Sequence, residues 1–149
     1  MPLVQAASRD GFIADMCGLR RDCHESLARK WMDRRLCPDE QAWSLVIVAH
    51  EHGAVGEIGF HADQDCVSGQ IYYWVLSTER RHGWASRAVR LVCGWALGGG
   101  PVRVMTAIVS DRNVASGRVL VNAGFKRAWK VPKYAGFRDC SDTIGYVLT

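Results

Sequence analysis

A run of large apolar residues, Ile71-Tyr72-Tyr73-Trp74-Val75-Leu76, passes through Ser77-Thr78-Glu79-Arg80-Arg81-His82-Gly83 into a segment of helical periodicity. In that segment Ala85, Ala88, Val89, Val92, Trp95 and Ala96 recur at helical spacing, and Gly98-Gly99-Gly100-Pro101 stops it. Any fold for this chain has to accommodate a strand that hands over to an amphipathic helix through a glycine. Gly83 lets the backbone approach a ligand closely, and the free N–H groups of the first helical turn then point at whatever is bound there. A junction of this kind is an anion site.

The rest of the chain reads in the same terms. Residues 20–36 place Leu27, Trp31 and Leu36 near one face with charges elsewhere, before Pro38, which predicts a surface helix. Ser44 to His50 and Ala54 to His61 are apolar, β-branched runs on either side of His52-Gly53, a predicted hairpin. After a polar loop at 62–69 comes the aromatic strand, 70–77, and then the helix from Trp84 to Leu97. Val102–Val109 is a further strand, Asn113–Ala123 a helix ending at Gly124, and Phe125–Val131 and Thr143–Leu148 are the last two strands. No repeat, low-complexity tract or linker divides the 149 residues, so they read as one domain, 1–149, with an atypical lead-in at 1–18.

With 48% apolar residues the chain can bury a core, and no run approaches the roughly 18 apolar residues of a membrane span. A soluble, cytoplasmic protein is the expectation. The net charge of +4, from 19 Lys and Arg against 15 Asp and Glu, suits an anionic small molecule better than a nucleic acid, because no dense basic tract carries interleaved aromatics. Cys17, Cys23, Cys37, Cys66, Cys93 and Cys140 form no C-x-x-C pair and read as reduced thiols. Cys23-His24 with Cys37 or with His50 and His52 fits no zinc spacing, so no metal is expected.

Two motifs now carry a resemblance. Arg80-Arg81-His82-Gly83-Trp84-Ala85 opens a helix after an aromatic strand, and Asn113-Val114-Ala115-Ser116 runs on to a Gly124-Phe125 turn about thirty residues later. Together they resemble the GNAT superfamily of N-acetyltransferases, in its RimJ/RimL-like branch, over about residues 25–148. The resemblance implies an α+β fold with a mixed, mostly antiparallel central sheet of six to seven strands flanked by helices. It also implies acetyl-coenzyme A as co-substrate and an amine as acceptor, with neither nucleic acid nor membrane as partner. Coenzyme A carries a pyrophosphate and a long amide-bearing arm, so its site needs N–H donors for the phosphates and an exposed strand edge for the arm. Arg80, Arg81, His82, Gly83, Trp84, Ala85 and Ser86 are the candidates for the phosphates, and Val75, Leu76 and Ser77 for the arm.

Acetyl transfer requires an uncharged amine, a donor for the oxyanion and a proton for the departing thiolate. The resemblance implies an oxyanion donor in the backbone N–H of Val75 or Leu76, and it puts Asn113 and Ser116 near the thioester. Ser116 is either the group that protonates the sulfur or a helix residue bonded to its own backbone, and Asn113 is also a natural helix cap. Where relatives often read Glu-Ile-Gly-Tyr-Trp, this chain reads Gln70-Ile71-Tyr72-Tyr73-Trp74, and strand alternation sends Gln70, Tyr72 and Trp74 to one face, an altered wall of the acceptor pocket. The acceptor pocket itself is expected from loops such as 62–69 and 131–140.

At pH 7 a lysine amine of pKa about 10.4 needs roughly 4.6 kcal/mol to become neutral, whereas an α-amine near 7.8 needs about 1.1 kcal/mol. A low-pKa amine is therefore the easier acceptor for a site lacking that carboxylate. Glu57, and after it His61 or Tyr72, are the candidate bases. The losses at Gln70 and Tyr72 also keep a second reading open, a non-catalytic acyl-coenzyme A binding domain. Leu3-Val4-Gln5-Ala6-Ala7 is read as a shortened first strand, or else the edge it would cover is paired by a second copy in a homodimer.

Overall fold

The computed structural model describes residues 2–36, 41–131 and 142–149. The chain begins with two short helices, α1 (Pro2–Arg9) and α2 (Gly11–Cys17), so the strand expected at Leu3–Ala7 is a helix. The reason is geometric: Val4 and Ala7 are both buried, and a separation of three residues puts side chains on one face of a helix but on opposite faces of a strand. Pro2 suits the first helical position, where its missing N–H has no intrahelical role. Asp10 caps α2 by accepting from Phe12 N and Ile13 N, and Gly18, at φ 64°, closes it in the left-handed conformation.

Helix α3 spans Glu25–Leu36, shorter than the 20–36 expected. Residues before it are used in a turn, with Asp22 at φ 50° and the Cys23 N–H donated to the buried Ser8 Oγ at 3.1 Å. Nor is α3 only a surface helix. Ala28 and Trp31 are buried against Val4, Ala7, Ile13, Ala14 and Leu19, and Trp31 Nε1 donates to Cys17 O at 3.2 Å. Trp74, from the central sheet, joins this cluster.

The strands β1 (Ala42–Ala49) and β2 (Gly53–Ala62) form the expected hairpin, with Gly53 at φ 74° in its turn. Then follow β3 (Ser68–Val75), a short 3-10 turn (Ser77–Glu79), α4 (Trp84–Leu97), β4 (Val104–Ser110), α5 (Val114–Asn122), β5 (Lys126–Val131) and β6 (Thr143–Leu148). One six-stranded sheet results, in the order β1-β2-β3-β4-β6-β5. The main core lies on the α4 side, where Val89, Val92, Cys93 and Ala96 pack with Ile58, Phe60, Ile71 and Met105. Alternation along β3 therefore divides its side chains, Ile71 and Val75 going to the main core and Trp74 to the α1–α3 cluster.

The sheet is two antiparallel halves joined by a short parallel seam. β3 pairs with β2 from Gly69 to Val75, but with β4 only at Ser68↔Val104, Gly69↔Met105 and Gln70↔Thr106. Beyond Gln70 and Thr106 the two strands part, each running on for several residues without the other. The backbone groups of β3 that face this gap have no ladder partner, and a ligand with amide groups can take their place.

Candidate active site

At the open seam lies a cleft of about 650 Å3, walled by Tyr73, Trp74 and Val75 of β3, the turn and first residues of α4, and the start of α5. The turn is unusual in its backbone. Arg81 at φ 71° and Gly83 at φ 79° are both left-handed, so the chain reverses sharply just before α4 begins. A non-glycine residue such as Arg81 holds that conformation at a cost of order 1 kcal/mol. Gly83 is the cap residue of α4 and offers no side-chain acceptor, whereas Asp10 caps α2 and Asn113 caps α5 with side-chain oxygens. The first N–H groups of α4, from Trp84 to Ser86, thus meet no acceptor among the described residues, and Trp84, Ala85 and Ser86 all line the cleft. The positive end of a helix that no described residue caps with a side chain fits a phosphate.

The side chains around the turn are less free than the sequence suggests. Arg80 Nη2 bonds Asp10 Oδ2 at 2.6 Å and its Nε donates to Val75 O at 3.3 Å, so Arg80 ties α2 to the end of β3. This brings Phe12, Ile13 and Met16 of α2 to the cleft, a contribution the sequence reading missed because it assigned no element to residues 11–17. Trp84 sits between His52, His82 and Arg87, whose guanidinium lies 5.2 Å from its ring centre, and the Trp84 Nε1 is buried without an acceptor among the described residues. His82, Leu76 and Ser77 are not in the cleft wall, while Arg81 and Asn113 are.

The two candidate oxyanion donors separate. Leu76 N–H donates to Val55 O at 2.9 Å, so that amide is spent inside the sheet. Hydrogen-bonding direction alternates along an antiparallel ladder, which turns the N–H and C=O of Val75 away from β2 and into the gap.

On the opposite wall Ser116 stands at the first turn of α5. Its N–H donates to Asn113 Oδ1 at 3.1 Å, and its Oγ lies 2.7 Å from Tyr73 Oη, which also donates to Ser116 O at 3.1 Å. Asn113 is thus the helix cap. Burial pushes the Tyr73 phenol up to about 12, against the smaller opposing effect of its bond to Ser116, so it stays protonated at neutral pH. Tyr73 was absent from the sequence-based candidates, although alternation alone sets it apart from Tyr72.

The remaining candidates lie elsewhere. Tyr72 rests across Gly59, stacks on His61 at 5.2 Å and donates to Trp43 O at 3.3 Å. Gln70 is exposed and pairs with His61 across the ladder. Neither lines the cavities on the two sides of Trp74, so the expected joint wall of Gln70, Tyr72 and Trp74 reduces to Trp74. The polar loop at 62–69 lines neither cavity, and residues 132–140 of the other expected loop, 131–140, fall outside those described.

Glu57 is buried at 5% exposure and accepts from Trp74 Nε1 at 2.7 Å and Ser44 Oγ at 2.8 Å. It belongs to the second cavity, on the α1–α3 side, and Trp74 is the wall common to both.

Several known proteins share this architecture. A GNAT-family acetyltransferase from Bacillus anthracis superposes with a TM-score of 0.79 at 16% identity, over 98% of this chain and 86% of that one. The microcin C7 self-immunity acetyltransferase MccE, solved with acetyl-CoA and AMP, gives 0.85 at 17% identity, over 99% and 83%. The ribosomal-protein-S5-alanine acetyltransferase of Vibrio fischeri gives 0.74 at 18% identity, over 98% and 86%. At these identities the likeness is one of fold. No curated protein matches the chain in sequence. Residues 7–126, however, match the family described as the acetyltransferase (GNAT) domain, and the chain therefore belongs to that family of acetyl-CoA-dependent acetyltransferases.

Proposed function

We propose that the chain moves the acetyl group of acetyl-CoA onto a primary amine by direct attack, with the cofactor in the cleft between β3 and α5 and the amine arriving from the far side of Trp74. The uncapped N-terminus of α4 at the mouth of an open parallel seam is the observation that carries this reading. The residues present suit the ligand: the amides of Gly83 to Ser86 and the Arg81 side chain for phosphates, and the gap-facing backbone of Tyr73 for the amide-bearing arm, since Val75 O already accepts from Arg80 Nε. Bound acetyl-CoA supplies an activated acetyl carbonyl and a thiol leaving group.

Chain residues do the rest. The Val75 N–H meets the carbonyl oxygen as it gains charge. The Ser116 hydroxyl, held by Tyr73 at 2.7 Å, donates to the departing sulfur. Overall one C–N bond forms and one C–S bond breaks; the incoming ammonium gives one proton to water through Glu57 before attack, and the second, lost as the C–N bond forms, restores the Ser116 hydroxyl that has protonated the thiol. Glu57 is buried across Trp74 from the cleft and acts on the amine side, as counter-charge to the incoming ammonium and as acceptor for its proton. Gln70 and Tyr72 stand outside both cavities, so their departure from the family pattern does not argue against turnover.

We also place the chain in the RimJ/RimL-like branch and favour a low-pKa α-amine, in line with its two motifs and the likeness to the S5-alanine enzyme. The chain acts as one domain, and a homodimer would form at the outer edge of β1, where Leu45, Val46 and Val48 are exposed. Release of free thiol from acetyl-CoA in the presence of α-amines tests the activity. The reading expects release that depends on the amine, and binding of acetyl-CoA without release over a broad amine panel would overturn it.

A further inference from the structure

The face of Trp74 turned away from the cleft borders a chamber of about 520 Å3, within the size range of small-molecule sites. Its walls are Leu3 and Val4 of α1, Trp31 and Met32 of α3, and Val46 of β1. Glu57 is the one carboxylate among the described lining residues. The polar lining groups Ser44 and His52 are each engaged with a carboxylate: Ser44 Oγ with Glu57 at 2.8 Å, and His52 Nδ1 with Glu79 Oε2 at 2.8 Å.

From this we infer that the acceptor is an α-amine standing beside a bulky apolar side chain, an aminoacyl group whose side chain is of phenylalanine or leucine type. The inference rests on the acetyl-transfer reading above and deepens it. An ammonium approaching Trp74 finds the Glu57 carboxylate, which Ser44 and Trp74 hold in place and which can pair with it in a charge-assisted bond. The body attached to that amine then lies against Trp31, Met32 and Val4, where apolar area is rewarded and an aromatic ring finds aromatic neighbours. A polyamine or an aminoglycoside would have to lay further ammonium groups against the same apolar walls, with no described carboxylate to receive them. Such cations are rejected by the chamber rather than by the chemistry.

The proposal has a direct comparison. Phenylalaninamide and glycinamide present α-amines of the same kind and differ in the body beside them. With the full chain and saturating acetyl-CoA, kcat/KM for phenylalaninamide is expected to exceed that for glycinamide by roughly tenfold or more, the scale of discrimination that apolar pockets reach. Spermidine and kanamycin should fall below both. Met32→Asp places a second carboxylate in the wall and should lower the rate with phenylalaninamide while raising that with spermidine. Val46→Asp, at a position already 55% exposed and directly across the ladder from Glu57, adds the carboxylate from another wall and should move the two rates in the same directions.

Equal rates for the two amides, or a preference for spermidine, would overturn the inference. So would acetyl-CoA binding, seen by calorimetry, without acetylation of phenylalaninamide, an outcome that leaves the cofactor cleft standing. Failure to bind acetyl-CoA at all would remove this inference and the functional reading together.

Discussion

Ser116 and Tyr73 form a hydroxyl pair at 2.7 Å across the open seam, one from the first turn of α5 and one from β3. Removing the hydroxyl with Ser116→Ala should lower kcat by roughly 10²-fold, the lower end for loss of a proton donor, and leave acetyl-CoA affinity nearly unchanged. An unaltered kcat would retire Ser116 as the donor. Tyr73 adds a signature in pH. Its folded pKa is raised to about 12 above an ordinary 10.0, so the protonated phenol is favoured by the fold. That contribution, of order 2–3 kcal/mol, is fully present below pH 10 and is lost as pH rises towards 12. Tyr73→Phe should therefore flatten the alkaline limb of a stability-versus-pH curve measured by denaturant unfolding. If the limb keeps its slope, the phenol is not what titrates there. Cys93, raised to about 12 by burial, contributes in the same direction from pH 9 upward and is charge-coupled to the phenol, so the difference between the two proteins reports Tyr73 together with that coupling.

Gly83 is the residue on which the anion site turns. A Cβ there would meet nothing within 4 Å, so the first obstacle to substitution is its φ of 79°. Gly83→Val should cost about 1–2 kcal/mol of stability, from the left-handed backbone, while acetyl-CoA affinity drops by at least tenfold as the amides lose their aim. Calorimetry showing unchanged affinity would remove the turn from the cofactor site.

At the scale of elements, the consequential pairing is that of α2 with the cofactor turn. Asp10 does two things with its two oxygens, capping α2 through Oδ1 and holding Arg80 through Oδ2. Asp10→Ala should lose the cap and leave Arg80 unheld, for about 1–2 kcal/mol of stability and a weaker hold on acetyl-CoA. Asp10→Asn keeps a capping oxygen but loses the charge, so most of the stability should return; a partly exposed pair of this kind contributes at most about 1 kcal/mol. Equal losses in both variants, followed by thermal unfolding, would mean the ion pair and not the cap carries the effect. This device was not readable in sequence. Asp10 and Arg80 are far apart along the chain, and Arg80 beside Arg81 and His82 resembles a phosphate ligand whichever partner it has.

The other elements were legible to different degrees for identifiable reasons. The span of α4 was read correctly because its apolar residues keep one period over several turns and Gly98-Gly99-Gly100 ends them. β6 was legible in the same way, from an apolar run between breaks. The lead-in was not, because in a helix as short as α1 three or four apolar residues satisfy either period, and only burial of Val4 and Ala7 on the same side decides.

Considered as a whole, the molecule is two antiparallel half-sheets held by a three-pair seam and by helices on both faces. Because α4 packs against strands from both halves, the halves should not unfold separately. A single calorimetric transition is expected, and two resolved transitions would contradict one domain. A ligand bridging the seam stabilises the native state alone. Acetyl-CoA at a hundred times its Kd should add about 2.7 kcal/mol and raise Tm by roughly 6–10 °C. No shift under those conditions would place the cofactor elsewhere.

Sequence by itself determined the strand-to-helix turn with Gly83, the hairpin, the long helix and the two motifs, because each depends on neighbours a few residues away: a period, a break, a residue able to take a positive φ. Only the tertiary structure decided where β3 and β4 part, that Leu76 spends its amide on Val55 while Val75 faces the gap, that Tyr73 rather than Tyr72 meets Ser116, and that Glu57 lies behind Trp74. Those are outcomes of register and packing between segments distant in the chain. A shift of one residue in pairing would exchange every one of them without altering any local pattern.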